Sequence, residues 1–168
     1  MSFIPVIITC GDNEPDATAV NARMKPDYEV VYSGYSIPAT LAEVPRILSG
    51  NPPAPTLLHT QIGSNSFDRR PIAVAIGGGY DDETFRTLYD ASLTACGGSK
   101  MDLGVVFVRA DTKLTQKLIE EGKGPKRYTP EYPLAMNNRL KAKLVELGIG
   151  TGLEGDVKEE YRGETFLF

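Results

Sequence analysis

The stretch "AVAIGGGYDDETF" (Ala73–Phe85) carries a short apolar run into three glycines and then into an acidic cluster. Two chemistries use that order of residue types. Glycines ahead of a helix let the main chain wrap a phosphate, whose charge is met by free amides and the helix dipole. The same glycines can simply make a tight strand-to-helix turn, with the acids capping the helix. Asp81, Asp82 and Glu83 weigh toward the second. They would occupy the free amides themselves and repel an incoming phosphate. A ligand of this loop would then present hydroxyl, amine or metal groups.

The spacing argues the same way. In the G-x-G-x-x-G dinucleotide fingerprint the third glycine permits close helix–strand packing. Here Gly77 and Gly79 are followed by Asp82 at that position, and the loop comes after the third strand instead of the first. The dinucleotide fingerprint is therefore absent, no G-K-[ST] phosphate loop exists, and no cofactor is assigned.

Other reactive side chains cluster at predicted strand ends. Asp12, Asp81, Asp82 and Asp111 would form a hard oxygen site for Mg²⁺ if they converged. A phospho-accepting receiver is not expected, because its third strand would end in Asp and this one ends "AIGGG". No His/Cys metal spacing is present, and no metal ligand is assigned. Arg109 offers a fixed fork for an anion, or bridges Asp111. Cys10 is either a strand-end nucleophile or a small buried hydrophobe. His59, the single histidine, lies in a long loop, and no G-x-S-x-G elbow supplies a serine for it to activate.

Four runs must position these groups: "FIPVIITC" (Phe3–Cys10), "YEVVYS" (Tyr28–Ser33), "IAVAIG" (Ile72–Gly77) and "LGVVFVR" (Leu103–Arg109). They are continuously apolar, the pattern of strands covered on both faces. Amphipathic helices alternate with them. One carries Pro15 in its first turn and buries Ala17, Val20 and Met24. The next is capped by Ser36, buries Leu41, Val44 and Leu48, and should be kinked or shortened by Pro45. The third buries Phe85, Leu88, Tyr89, Leu93 and Cys96 and stops at Gly97. A shorter one stops by Gly122. The last opens at a Thr129 cap and buries Met136, Leu140, Leu144 and Leu147.

This alternation predicts an α/β protein with an open, doubly wound, mainly parallel sheet of order 2-1-3-4, a Rossmann/flavodoxin-like three-layer sandwich. "ETFLF" (Glu164–Phe168) would add an edge strand. Residues 1–168 read as one domain. The Pro/Ser/Asn-rich segment 49–70 interrupts the rhythm and reads as a lid, a partner-binding arm or a disordered loop.

The 168 residues are 41% hydrophobic and 24% charged, with a net charge of -4. That suits a single core and argues against nucleic-acid or anionic-membrane partners. The basic run from Lys113 to Lys143 reads as a solvated helix face. No apolar run is long enough to cross a membrane. The opening "MSFIPVIITCG" lacks the positive n-region of a secretory signal. A cytoplasmic, reducing location with free Cys10 and Cys96 is expected.

"GSNSFDRRPIAVAIGGGYDDETF", "VRADT" and "PEYPLAM" together resemble a family of small, largely uncharacterised Rossmann-like α/β proteins of filamentous fungi. The resemblance spans nearly the whole chain. It departs at Lys113 to Arg127, where a lysine-rich, helix-like stretch replaces a short proline-rich link. It implies the fold and a gathering of the motif loops at one edge of the sheet, and it implies no activity.

Ligands of such sheets bind beyond the carboxyl ends of the strands, where the winding reverses. The expected function is thus small-molecule binding at the ends of strands 1, 3 and 4. Gly11, Asp12, Gly78, Tyr80, Asp81, Arg109 and Asp111 would line the site, with Ser64 and Asn65 from a covering loop and Tyr132 from the last helix. An alternative is an isomerase, lyase or hydrolase using Asp81 or Asp111 as acid/base and Arg109 to hold an anion. Another is a non-enzymatic interaction module, for instance a homodimer.

Overall fold

The computed structural model describes residues 3–150 and 156–168. Five strands form one parallel sheet: β1 (Val6–Cys10), β2 (Glu29–Gly34), β3 (Ala73–Ile76), β4 (Val106–Arg109) and β5 (Thr165–Leu167). The order is β2-β1-β3-β4-β5, as the alternation predicts, with the aromatic tail as the added edge. Among the described residues six α-helices join the strands: α1 (Glu14–Met24), α2 (Ile37–Leu48), α3 (Asp82–Ala95), α4 (Lys100–Leu103), α5 (Thr112–Glu120) and α6 (Glu131–Glu146).

Two apolar cores lie on opposite faces of the sheet. One packs Val44, Ile47, Leu88 and Leu103 against Ile8, Val74 and Phe107. The other packs Met24, Met136, Leu140 and Leu144 against Ile7, Ala75 and Val108. The Tyr28 hydroxyl crosses the second core to the Ile149 carbonyl at 2.7 Å.

Most helix starts follow the residue types. The side chains of Asn13, Ser36, Asp81 and Asp111 each accept a hydrogen bond from the main-chain N–H three residues on, which satisfies amides that a helix start otherwise leaves free. Three local details differ from expectation. α2 runs on across Pro45 to Leu48, held by the buried Val44, Ile47 and Leu48. Pro130, not Thr129, heads α6, and the Thr129 hydroxyl donates instead to the Lys126 carbonyl at 2.6 Å. The four-residue α4, capped by Ser99 and ended by Gly104 at φ 71°, is too short to leave a periodic signal.

β2 contains the irregularity that matters most for the site. Its register against β1 slips between Ile7 and Ile8, so that Ile7 faces Val30 but Ile8 faces Tyr32. A bulge adds one residue and reverses the facing of everything after it. Val30 accordingly enters the core beside α1 and α6, Val31 and Tyr32 both enter the opposite core, and Ser33 returns to the first side.

Part of the 49–70 segment holds that bulge from outside the sheet. Residues 60–65 run antiparallel along the free edge of β2. Ile62, Ser64 and Asn65 donate main-chain N–H groups to the Ser33, Val30 and Val31 carbonyls at 3.0, 3.0 and 2.9 Å. Gln61 Oε1 accepts from the Ser33 and Gly63 amides. Gly63 lies so close to the Val31 and Tyr32 main chain that a Cβ would overlap it.

Candidate functional site

β1 and β3 are neighbours whose crossovers run in opposite directions, so a crevice opens beyond their carboxyl ends. It is bounded by α1 and by the first half of α6. The resulting half-open cleft has room for about 120 Å³. Ala17 and Val20 of α1, Met136 and Leu140 of α6, and Ala75 of β3 make apolar walls. Thr9, Ser33 and Asn137 contribute buried polar side chains. Charged lining residues are the more exposed ones: Asp12 and Asp16 at the start of α1, and Arg127 ahead of α6.

Gly11, Gly77, Gly78 and Gly79 form the sheet-side rim. None of the three consecutive glycines has a left-handed φ, so the turn as such does not require them. Close approach constrains Gly79 and, more mildly, Gly77, where an added Cβ would lie 3.3 Å from the Cys10 carbonyl oxygen. The Gly77 amide donates to the Cys10 carbonyl at 2.8 Å. The Asp12 carboxyl fills the place of a side chain on Gly79. Beside Gly78 the Tyr132 hydroxyl would lie 3.6 Å from an added Cβ. With Asp12 against it, this loop faces a carboxylate, the wrong partner for a phosphate.

On β1, Thr9 pairs with Ser33 of β2, and its hydroxyl donates to the Ser33 hydroxyl oxygen at 2.8 Å. Without the bulge, Ser33 would face the other core. Asn137 is 2% exposed, and its amide nitrogen donates to Met24 Sδ at 2.9 Å. At the mouth, burial pushes the Tyr132 phenol up, while the nearby Arg127 and Arg139 guanidiniums pull it down. Arg139 braces α6 from behind, donating to the Thr115 hydroxyl at 2.9 Å and to the main-chain oxygens of Phe168 and Asp111 at 2.8 and 3.2 Å.

Of the residues expected at the site, the structure brings Gly11, Asp12, Gly78 and Tyr132 together at the cleft. The others lie elsewhere. Ser64 and Asn65 sit on the outer edge of β2, where the Ser64 hydroxyl donates to Glu29 at 3.3 Å and the Gln61 amide nitrogen donates to Asn65 at 2.6 Å. Tyr80 is buried in the opposite core. Asp81 and Asp111 cap α3 and α5 through bonds of 2.7 and 3.0 Å from Thr84 and Leu114. Arg109 stacks over Phe85 at 4.3 Å and pairs with Asp82, not Asp111, at 3.0 Å. The acids therefore do not converge, and among the described residues no three His, Cys, Asp or Glu side chains are grouped to hold a metal.

Thr9, Ser33, Asp16, Arg127 and Asn137 line the cleft without standing out as site residues in the sequence. Thr9 and Ser33 were visible as polar residues ending apolar strands, and Asn137 as an amide inside an apolar helix stripe. Cys10 is fully buried, and burial raises its thiol far above the reactive range. His59 is exposed. Among the described residues, no helix is long and apolar enough to cross a membrane.

Comparison with known proteins adds a distant fungal likeness. The chain is 28% identical over 156 residues to kojic acid related protein 6 of Aspergillus oryzae, an alignment covering 91% of this chain and 83% of that protein. No family model matches the chain, and no solved structure matches it.

Proposed function

We propose that the protein binds a compact small molecule in the cleft between α1, α6 and the ends of β1 and β3. The observation that carries this reading is the lining: apolar walls with a few buried polar groups, at the sheet's winding switch, the usual make-up of a small-molecule site. The volume of about 120 Å³ is close to the ~150 Å³ of an engineered cavity that accepts benzene. The cleft suits a single ring in its inner part. The Aspergillus relative is named as related to kojic acid, itself a small oxygenated ring compound, and a molecule of that size matches the cleft.

Acid/base catalysis by Asp81 or Asp111 has less support. Each carboxylate already accepts a helix amide, and Arg109 is engaged by Phe85 and Asp82.

A thermal-shift titration tests the proposal, with kojic acid, NAD⁺, FMN and ATP offered to the wild type and to Val20→Phe, which fills the cleft. A ligand at 100 times its Kd adds about 2.7 kcal/mol, several degrees for a domain of this size. The expected result is a shift with the compact ring that Val20→Phe abolishes. Shifts given by the nucleotides alone, or shifts that Val20→Phe leaves intact, would overturn it.

A further inference from the structure

We infer that the cleft selects an uncharged ring compound bearing a carbonyl or hydroxyl oxygen, and that Asn137 reads that oxygen with Ser33 beside it. This rests on the cleft-binding proposal and specifies its ligand class. Asn137 lies within the buried stripe of α6, between Pro133 and Leu140. An amide buried there without partners is costly. Among the described residues its carboxamide makes one hydrogen bond, from Nδ2 to the thioether of Met24, a weak acceptor. Among the described residues the second N–H and Oδ1 have no hydrogen-bond partner, and Asn137 lines the cleft, which leaves a donor and an acceptor for a ligand. The hydroxyl pair adds a further donor. Thr9 spends its proton on Ser33, and the Ser33 proton has no acceptor among the described residues.

Charge decides the rest. Each charged lining residue, Asp12, Asp16 and Arg127, is exposed or half-buried, whereas Thr9, Ser33 and Asn137 are buried. A carboxylate, phosphate or ammonium brought to these buried groups would meet no counter-charge, and an unpaired buried charge costs far more than an unpaired dipole. A hydroxyl, carbonyl or amide on an otherwise apolar ring matches both the walls and the polar group.

The test uses one-ring probes that differ in a single substituent: benzamide, benzyl alcohol, benzoate, benzylamine and toluene. Binding is followed by the NMR signals of the Gly11, Gly77 and Gly78 amides and the Asn137 side-chain NH₂. Benzamide and benzyl alcohol are expected to bind at least tenfold more tightly than benzoate and benzylamine. Asn137→Leu, similar in volume, should lose at least tenfold for benzamide, keep toluene, and melt no lower than the wild type. Ser33→Ala should weaken benzyl alcohol in the same direction. Equal or tighter binding of the charged probes, or unchanged benzamide affinity in Asn137→Leu and Ser33→Ala, overturns the inference while the cleft proposal stands. If no probe, toluene included, moves the cleft signals, the cleft proposal falls and takes this inference with it.

Discussion

The carboxyl of Asp12 stands where a side chain on residue 79 would have to go. Since no residue of the glycine triplet is left-handed, the triplet answers to proximity, and its members should differ in tolerance. Asp12 is exposed and its carboxyl can rotate away, but its Cβ would lie 2.9 Å from the added methyl and moves only with the main chain, so Gly79→Ala should cost about 1 kcal/mol in urea unfolding, the low end for overpacking. Gly78→Ala makes ordinary contacts at 3.6 Å with Tyr132 and Thr112. It should fold normally while weakening ligand binding. Equal affinity in Gly78→Ala and wild type would remove this rim from the site.

Gly63 is the tighter case. An added Cβ strikes the Val31 and Tyr32 main chain, which cannot yield as a side-chain tip does. Gly63→Ala should destabilise by roughly 1–3 kcal/mol, the range for overpacking, and should promote association through the uncovered β2 edge. Denaturant unfolding combined with light scattering checks both. A variant as stable and monodisperse as the wild type would show that segment 60–65 is dispensable.

The two thiols should separate cleanly by reactivity. Burial raises both, Cys10 far more than the half-exposed Cys96, and the thiolate is the species that reacts. Iodoacetamide mapped by mass spectrometry should modify Cys96 in the native state and Cys10 only on unfolding. Native labelling of Cys10 would revive it as a nucleophile.

The Asp81 cap sets a pH dependence. The Thr84 hydroxyl and amide hold the Asp81 carboxyl below its ordinary value. Its stabilisation is therefore complete above the unfolded carboxylate pKa and disappears as pH falls through the lower folded value. Asp81→Asn keeps a good cap without the titration. Its melting temperature should match the wild type at neutral pH and fall less steeply on acidification. Identical acid limbs would mean that the carboxylate contributes nothing.

Much of the architecture can be read from local chemistry. Val/Ile-rich runs between amphipathic stripes specify a parallel sheet, and the acids at Asp81–Glu83 stand where a helix cap is expected, although Asp81 and Asp111 also read as site residues until the structure shows both as caps. The site is harder to read, because its residues are made functional by non-local geometry. Thr9 and Ser33 look like ordinary strand ends until a bulge turns them toward each other. Asn137 hides beside Met136 in a stripe whose periodicity says only "core". Ser64 and Asn65 were expected over the pocket because a long loop has no local rule for its path. The edge of β2 determines that path.

The β2 bulge also makes the length of that strand a heritable property distinct from its composition. Removing one residue at Val31 or Tyr32 would leave every remaining side chain conservative in type, yet it would transpose Ser33 and Gly34 to the opposite layer and strand Thr9 without its partner. Homologous chains that share this cleft should therefore vary freely in which apolar residues they place in β2 and hardly at all in how many.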